Sequence, residues 1–580
     1  MTRKFIRSYL VSPRAESTIS TIRVLAHLRE AYVSLSRKPN MIKSLAAAGG
    51  FILLIVTPAC TDLTEVPSSA ISPANFYRNQ DEVIGGLASV YAQLRTTTDE
   101  AYNISEISTD EMVVPTRGQD WLDNGKWLDI HRQTFAPNSA AGIDNINSAW
   151  VNMFQGVARA NVVLDALGNV NFAGKSTVIA ELRTLRAFYY YLLMDLFGGV
   201  PIVCADVGNA ICTGDGIKTR TQNTRAEVFA FIESELNASR ADLPVTWSSD
   251  MNGRLTKGAA DAILADMYLN AEVFTGTVSA TGLAKGPSKW NEAIAAANRV
   301  LAGPYTLSTD PSGGCAAAGK PAGCGWRKNF TADNNTSPEI IMAVKFVDVS
   351  GLGLNFLMRA LHYNQYTPSP WNGFSTLAET FFAFDANDIR RQIFLAGPQF
   401  NVETGAPVKD RAGNPLFFDP NIADVTKATE GEGVRIMKWP SDPAHVNQDN
   451  GNDYAHYRLA EIYLIKAEAM NQLGQTAAAA TLINTTTRAR AFPSSPKPLA
   501  TTLSQVALRD SILAERLFEL TAEGKRRTDL IRIGAEQGGV NKFNQLWSFK
   551  TAVSQPFKIL FPIPQNQIET NPLLKQNPGY

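Results

Sequence analysis

The sequence predicts a mainly α-helical protein built from stacked helical hairpins, with one long irregular region and minor β-structure. Apolar residues recur at helical spacing over most of the chain. Short turns join these segments in pairs, and alanines recur where neighbouring helices must approach closely. The periodicity stops between residues 304 and 450, where Gly, Pro, Asn and Asp are frequent. We therefore expect a helical scaffold that carries a loop-rich segment.

Helical periodicity is clearest in AELRTLRAFYYYLLMDLFGGVP, residues 180–201. Its leucines and aromatic residues form one broad apolar stripe that stops at Gly198-Gly199 and Pro201, which is typical of a packed helix with a glycine stop. Further segments with helical spacing are expected near residues 80–97, 145–168, 224–241, 257–274, 289–302, 456–473, 476–491 and 506–534.

The clearest pair is YRLAEIYLIKAEAMNQLGQTAAAATLINTTTRARAF, residues 457–492, in which Leu473-Gly474 separates two alanine-rich segments. Such helical hairpins resemble tetratricopeptide repeats, although their period is irregular. Stacked hairpins bury one face on the next unit and leave another face for partners. The region 304–450 contains short β-like runs such as EIIMAVKF. Long irregular segments on a helical scaffold usually carry the binding function.

The N-terminal part has the pattern of an export signal. The apolar run Ala46 to Ala59 is shorter than the roughly 20 residues that a spanning helix needs, but it suits a signal peptide. Pro58 and Ala59 lead into Cys60, an order that resembles the lipobox of bacterial lipoproteins. We expect residues 1–59 to be an N-terminal extension and signal, with Met41 as one possible start, and Cys60 to be acylated. An ordinary secretory cleavage site beside an incidental cysteine is the alternative.

Charge argues against nucleic acid as a partner. Lysine plus arginine equals aspartate plus glutamate, at 54 residues each, so no net field favours a polyanion.

Beyond Cys60 the four remaining cysteines lie in the turn-rich loops VCADVGNAIC and CAAAGKPAGC, which predicts the disulfides Cys204–Cys212 and Cys315–Cys324. Four free thiols are the alternative. We expect no cofactor and no metal site, since the cysteine spacings are longer than those of a zinc pair and no HExxH occurs.

Five blocks of sequence carry a resemblance to a known family. They are ELRTLRAFYYYLLMDLFGGVPIV, GRLTKGAADAILADMYLN, YRLAEIYLIKAEAMNQLG, ILAERLFELTAEGKRRTDLIRIG and ILFPIPQNQIETNPLLKQNPGY. In this order they resemble the SusD/RagB family, surface lipoproteins that capture nutrients for a TonB-dependent outer-membrane transporter. The resemblance implies a SusD-like α-α superhelix, with an N-terminal helical region at 60–303, an irregular ligand region at 304–455 and a C-terminal helical region at 456–580.

The resemblance also implies a function. The expected protein is a non-catalytic lipoprotein, anchored at the cell surface in the outer membrane through Cys60. It would bind an oligosaccharide or similar nutrient and deliver it to a SusC-like transporter. Two other functions remain open. A secreted glycoside hydrolase could use Asp110 and Glu111 or Asp120 and Asp123, although hydrolysis needs two carboxylates facing each other across a cleft. A helical-repeat scaffold that binds only proteins is the second.

The charged residues of ERLFELTAEGKRRTDLIRIG recur at helical spacing. Arginines alternate with the acids and would keep them ionised, which favours structural ion pairs over a catalytic carboxylate pair. The residues concerned are Glu515, Arg516, Glu519, Glu523, Arg526 and Asp529.

Two stretches combine aromatic rings with polar groups, the mixture that sugar binding needs. They are DEMVVPTRGQDWLDNGKWLDIHRQTF and LMRALHYNQYTPSPWNGF. Any single aromatic residue of a large protein is more often core than ligand platform. Asp120, Asp123, Asn124 and Asp129 could also hold a calcium ion, although their spacing fits a solvated turn better. The candidate ligand-binding residues are Arg117, Trp121, Asp123, Asn124, Trp127, Tyr363, Tyr366 and Trp371.

Overall fold

The structure is a computed structural model that describes residues 76–204, 221–309, 324–537 and 539–580. The export signal, the acylation site Cys60 and the two cysteines Cys212 and Cys315 lie outside these residues. Cys204 is disulfide-bonded and buried. The pairings Cys204–Cys212 and Cys315–Cys324 therefore stay predictions.

Helices make up most of the regular structure, which confirms the predicted fold class. In chain order the α-helices are α1 Gln80–Gln93, α2 Glu100–Ile107, α3 Lys126–His131, α4 Asn147–Ala166, α5 Lys175–Phe197, α6 Arg225–Ser239, α7 Lys257–Leu269, α8 Ala271–Phe274, α9 Trp290–Leu301, α10 Phe356–Ala360, α11 Ala378–Ala383, α12 Leu459–Gln472, α13 Thr476–Thr485, α14 Thr487–Ala491, α15 Gln505–Leu520, α16 Arg526–Glu536, α17 Asn541–Asn544 and α18 Gln565–Thr570.

The strands are short and pair in twos. They are β1 Met112–Val113, β2 Thr277–Ser279, β3 Gly282–Ala284, β4 Ile340–Val344, β5 Ser375–Thr376, β6 Phe394–Leu395, β7 Gly397–Pro398, β8 Phe417–Phe418, β9 Arg435–Ile436 and β10 Tyr454–Arg458. The described pairs are all antiparallel: β1 with β5, β2 with β3, β4 with β10, β6 with β9 and β7 with β8. The β-like run EIIMAVKF is therefore a strand, as predicted.

Helix α5 lies at the centre of the N-terminal helices and packs on α4 and α6. Gly156 of α4 permits the approach, because a Cβ there would lie 2.5 Å from the ring of Tyr189 on α5. The helix ends as the sequence predicts, at Gly198, whose φ of 77° is the left-handed conformation that glycine adopts without strain. The apolar stripe of α5 is thus buried on two sides.

Helices from both ends of the chain share one core, since α12 packs on α7, α9, α13 and α15. Residues Ser72–Tyr580 form one compact unit. The observed elements differ from the predicted ones at β10 and between α15 and α16, among other places. Residues 456–458 belong to β10, where Tyr457 and Arg458 pair with β4, and only then does α12 begin. The helix predicted over 506–534 is interrupted by a turn in which Ala522 and Gly524 have positive φ.

Along the described residues, we find no helix with the length and apolarity that crossing a membrane requires.

The charged residues of α15 form buried ion pairs, which confirms their structural role. We call the group Glu339, Arg390, Arg458, Arg490, Glu515 and Glu519 the arginine–glutamate cluster. Arg390 Nη1 donates to Glu515 Oε1 at 2.8 Å and to Glu519 Oε2 at 2.9 Å. Arg458 Nη1 donates to Glu519 Oε1 at 2.6 Å. The cluster joins α15 to β10 and to the segment before β6, so it ties the C-terminal helices to the irregular region.

The turn between α15 and α16 rests on two buried carboxyls. The backbone N–H of Ala522 donates to Glu111 Oε2 at 3.0 Å, and that of Gly524 donates to Glu106. Burial raises the pKa of Glu106 to about 7, and burial together with the nearby Glu106 carboxyl raises the pKa of Glu111 well above its usual range. At least one of the two carboxyls is therefore protonated at neutral pH.

The raised pKa values of Glu106 and Glu111 predict a contribution to stability that falls as the pH rises. A carboxyl whose folded pKa exceeds its unfolded pKa stabilises the fold fully below the unfolded value of 4.5, and this stabilisation is lost as the pH rises through about 7. We expect the difference in free energy of unfolding between the wild type and Glu106→Gln, measured in urea, to shift against the wild type as the pH rises from about 5 to about 8. Equal slopes in the two proteins would contradict this assignment.

Candidate functional site

The two aromatic stretches lie side by side in the structure. Trp121 Nε1 donates to the carbonyl oxygen of Trp371 at 2.7 Å. Tyr363 Oη donates to Asp120 Oδ2 at 2.5 Å. More than 240 residues of chain separate the partners in each bond. The two stretches thus form one surface region.

The first stretch reaches this position through a left-handed loop before α3. Trp121, Asp123 and Asn124 have φ values of 62°, 36° and 55°. Asp and Asn adopt such values more readily than most residues, because their short side chains can form local hydrogen bonds. Here Asp123 Oδ2 accepts a hydrogen bond from Trp127 Nε1 at 2.7 Å. Gly373 allows Trp121 to approach, since a Cβ there would lie 2.3 Å from the indole ring.

The candidate aromatic residues differ in exposure. Trp121, Tyr363 and Trp371 are half-buried, whereas Trp127 and Tyr366 are buried. The ring of Trp127 packs edge-on against Trp121 and Phe374, at centroid distances of 5.4 and 5.8 Å. Trp127 therefore supports Trp121 from beneath.

Tyr366 is also a supporting residue. Its ring contacts His445 at 4.7 Å, and its hydroxyl donates to Asn450 Oδ1 at 3.3 Å. A position in a loop is thus not sufficient to expose an aromatic ring.

The two polar candidates of the first stretch differ from these buried rings, because the side chains of Asp123 and Asn124 are exposed.

Arg117 holds loops together instead of facing solvent. Its side chain is 2% exposed, and burial lowers its pKa to about 10. The guanidinium donates to the carbonyl oxygens of Asn372, Gly373, Thr429 and Glu432 and to Ser375 Oγ, at 2.8 to 3.1 Å. These acceptors come from two segments that are distant in sequence. We therefore assign Arg117 a positioning role.

A cleft of ≈ 490 Å³ opens beside Arg117, and we call it the Arg411 cleft. Its floor and walls come mainly from the segment 410–431, including Asp410, Arg411, Phe417 and Glu430. Phe417 is 54% exposed, so much of its apolar surface is available to a ligand. The cleft combines an apolar ring with charged groups.

The charges around Arg411 are fixed by contacts. The guanidinium lies over the ring of Tyr363, 4.2 Å from its centroid, and forms an ion pair with Glu430. Its Nη2 lies 3.7 Å from Asp120 Oδ2. His362 Nε2 is hydrogen-bonded to Glu430 Oε2 at 2.9 Å. Arg411, Tyr363 and Glu430 thus form one connected polar group at the cleft.

The Glu430 carboxylate and the Arg411 guanidinium of this polar group are charged at neutral pH. Burial would raise the pKa of Glu430, but hydrogen bonds from the Arg411 backbone, His362 and the Arg411 side chain outweigh it and lower the pKa to about 2. Burial and the hydrogen bond to Asp120 raise the pKa of Tyr363 to about 12. A ligand in the cleft therefore meets a carboxylate acceptor and a guanidinium donor, and the phenol of Tyr363 beneath Arg411 is neutral.

Sequence reasoning did not single out Arg411, Phe417 or Glu430. The segment was recognised only as part of the irregular region that was expected to carry a ligand. An aromatic pair, Phe417-Phe418, amid Gly, Pro, Asn and Asp was the available signal. The pattern does not reveal that Phe418 is buried and Phe417 is not.

The carboxylates that could have served in a hydrolytic active site are each bound by another group of the protein. Asp110 pairs with Arg526 at 2.6 Å, and Glu111 is buried against the α15–α16 turn. Asp120 accepts from Tyr363 and Asp123 from Trp127. Over the described ranges, no group of three or more His, Cys, Asp or Glu side chains is placed to hold a metal ion.

Comparison with protein families gives two matches. Residues 369–580 match the family model described as the SusD family. Residues 74–269 match the model described as "Starch-binding associating with outer membrane". The matches include both ends of the helical scaffold.

Curated relatives match over most of their length. "SusD-like protein P25" of Formosa agariphila is 24% identical over 563 residues, covering 89% of this chain and 96% of that protein. "Starch-binding protein SusD" of Bacteroides thetaiotaomicron is 25% identical over 528 residues, covering 83% and 85%.

Solved structures share the fold. A SusD-like protein from Bacteroides fragilis superposes with a TM-score of 0.66 at 19% identity, covering 87% of this chain and 98% of that one. The surface glycan-binding protein A from Bacteroides thetaiotaomicron, in complex with laminarihexaose, gives 0.64 at 18% identity, covering 87% and 100%. The family matches and the shared helical fold lead to one conclusion: the chain belongs to the SusD/RagB family.

Proposed function

We propose that the protein binds an oligosaccharide in the Arg411 cleft, without catalysis, and delivers it to a SusC-like TonB-dependent transporter. The observation that carries the proposal is the exposed ring of Phe417 beside the ionised pair of Arg411 and Glu430. The glycan-binding proteins of this family are non-catalytic. Relatives are named for starch and laminarin binding, which supports a glycan as the ligand class.

Binding follows from the chemistry of the cleft. One face of a sugar ring is apolar and packs on a flat aromatic side chain such as Phe417. The hydroxyls on its edge can donate to Glu430 and accept from Arg411, and hydrogen bonds to charged groups are stronger than neutral ones. Because these groups are already held by Tyr363, His362 and Asp120, little side-chain entropy is lost on binding. No covalent step is needed.

Substitutions in the cleft test this directly. We expect Phe417→Ala and Arg411→Gln each to weaken oligosaccharide binding by about tenfold, since each removes roughly 1.5 kcal/mol of contact energy. Isothermal titration with starch-derived and laminarin-derived oligosaccharides measures the affinities. The matched control is Phe382→Ala, which removes an exposed phenyl ring on α11. Equal affinities of Phe417→Ala, Phe382→Ala and wild type would contradict the assignment.

Delivery requires a position at the cell surface and a transporter. We propose that acylated Cys60 anchors the protein in the outer membrane, and the match to a family model described as associating with the outer membrane supports this location. Co-purification with a TonB-dependent transporter from detergent-solubilised membranes tests the partnership. Recovery of a Cys60→Ala variant in the membrane fraction, at the wild-type level, would contradict the lipid anchor.

A further inference from the structure

A second cleft lies on the helical part of the protein and shares no lining residue with the Arg411 cleft. We call it the Tyr305 cleft. It has a volume of ≈ 280 Å³ and is lined by side chains near the start of α7 and the end of α9, with Tyr305 and Val245 beside them. The proposed function makes no use of this cleft.

Positive charge dominates the lining of the Tyr305 cleft. The lining includes three cationic side chains, Arg240, Lys257 and Arg299, and one carboxylate, Asp261. Arg240 Nε donates to Asp261 Oδ1 at 2.9 Å, and Arg299 Nε donates to the same oxygen at 2.7 Å. The negative charge of Asp261 offsets one of these three positive charges, so the lining carries a net charge of +2.

These cations remain accessible to a ligand. The side chains of Arg240 and Arg299 are 32% and 36% exposed. Among the described residues, neither the Nη atoms of Arg240 nor Lys257 Nζ donate a hydrogen bond. Since Arg240 and Lys257 line the cleft, their N–H donors are available to an oxyanion that enters it. The N-terminus of α7 adds its partial positive charge on the same side.

Aromatic and apolar groups complete the cleft. Tyr305 is half-buried and its hydroxyl is hydrogen-bonded to Thr256 Oγ1 at 2.8 Å, which fixes the ring. Gly258 permits this arrangement, because a Cβ there would lie 2.4 Å from the Tyr305 hydroxyl. Val245, which also lines the cleft, is 53% exposed. A fixed aromatic ring beside cationic donors is a combination that an inorganic ion does not need.

The Tyr305 cleft continues into a neighbouring cleft of ≈ 170 Å³. The two share Val245, Pro304 and Tyr305. The neighbouring cleft adds the half-buried Trp247 and the amide side chains of Asn252 and Asn335. A ligand longer than one ring can therefore extend from the charged cleft onto a second aromatic and amide surface.

We propose that the Tyr305 cleft is a second saccharide-binding site, which takes an oligosaccharide bearing a carboxylate or sulfate group. The oxyanion binds Lys257 and the guanidinium of Arg240, and the sugar ring that carries it packs against Tyr305. The rest of the chain follows the groove towards Trp247. This site does not depend on the Arg411 cleft, because it is formed by different segments of the chain.

Titration of the full-length protein with three probes tests the proposal. The probes are a galacturonate tetrasaccharide, a sulfated tetrasaccharide and a neutral glucan of equal length, and a separate titration with free sulfate measures simple anion binding. The test variant is Lys257→Gln, whose ammonium group has no described side-chain partner, so the fold should be retained. The matched control is Lys575→Gln, an exposed lysine of the C-terminal tail. Thermal melts establish that both variants are folded.

We expect at least one acidic probe to bind the wild type and to lose about tenfold in affinity with Lys257→Gln, but not with Lys575→Gln, because a charged hydrogen bond is removed. Raising the salt concentration should weaken this binding further. Tyr305→Ala should weaken the acidic probes without changing binding of the neutral glucan. The acidic probe that binds more tightly identifies the oxyanion.

Three results would overturn the proposal. The first is no binding of either acidic probe, and the second is equal binding to Lys257→Gln and wild type. The third is binding of free sulfate as tight as that of the sulfated tetrasaccharide, which would indicate a simple anion site. A negative result with Lys257→Gln would not contradict oligosaccharide binding at the Arg411 cleft. That binding is tested by Phe417→Ala, which alters a different cleft.

Discussion

Glu519→Gln is expected to lower the free energy of unfolding by about 3–5 kcal/mol, because it leaves buried arginines without a full counter-charge. Glu519 is fully buried. Its carboxylate accepts hydrogen bonds from Arg390, Arg458, Arg490 and the indole of Trp326. Urea unfolding at neutral pH, followed by circular dichroism, measures the change.

The electrostatics of Glu519 explain the size of this effect. Burial would raise its pKa, but Arg490, Arg458 and Arg390 outweigh burial and hold the pKa well below its usual range. The carboxylate is therefore ionised at neutral pH. Glu569→Gln is the control, since Glu569 is exposed and accepts one hydrogen bond from Gln565 at 3.2 Å. A loss below about 1 kcal/mol for Glu519→Gln, as at an exposed ion pair, would contradict the structural role of the cluster.

Arg117→Met is expected to weaken oligosaccharide binding at the Arg411 cleft by more than tenfold and to destabilise the protein by at least about 3 kcal/mol, because several buried acceptors lose their donor. The guanidinium joins the segment 372–375 to the segment 429–432. Glu430 and the cleft wall lie in the second segment. Without this link, we expect the segment that carries Glu430 to be less firmly held in the cleft.

A lysine at position 117 separates the effect of the hydrogen bonds made by Arg117 from the effect of its positive charge. Arg117→Lys keeps the positive charge but reaches fewer acceptors, so it should rescue only part of the stability. Arg159→Met is the control, since Arg159 is exposed and makes one hydrogen bond, to the carbonyl oxygen of Ser89 at 3.1 Å. Titration calorimetry and urea unfolding on the same preparations measure both quantities. Wild-type affinity in Arg117→Met would show that the cleft does not depend on this residue.

The helical scaffold was predictable because each helix buries an apolar stripe whose spacing is visible in the sequence. The stripe of residues 182–196 and its glycine stop correspond directly to α5. The interruption between α15 and α16 was not predicted, because Ala522 adopts a positive φ only where Glu111 and Glu106 hold the turn. Those carboxyls lie about 400 residues earlier in the chain.

The candidate site was predictable only in part. Loop aromatic residues were the signal in the sequence, and one of them, Tyr363, lies beside the cleft because the guanidinium of Arg411 packs over its ring. Their exposure could not be predicted, because Trp127 and Tyr366 are buried by partners that are distant in sequence, such as Phe374 and Asn450. Likewise, the helical spacing around Glu519 indicated ion pairs, but spacing alone does not identify Arg390 or Arg458 as the partners.

A crystal structure of the protein with its tightest-binding oligosaccharide shows whether the Arg411 cleft is the ligand-binding site. We expect electron density for a sugar ring packed on Phe417, with hydroxyls within hydrogen-bond distance of Arg411 and Glu430. A saccharide bound elsewhere, with the Arg411 cleft filled only by solvent, would contradict the account.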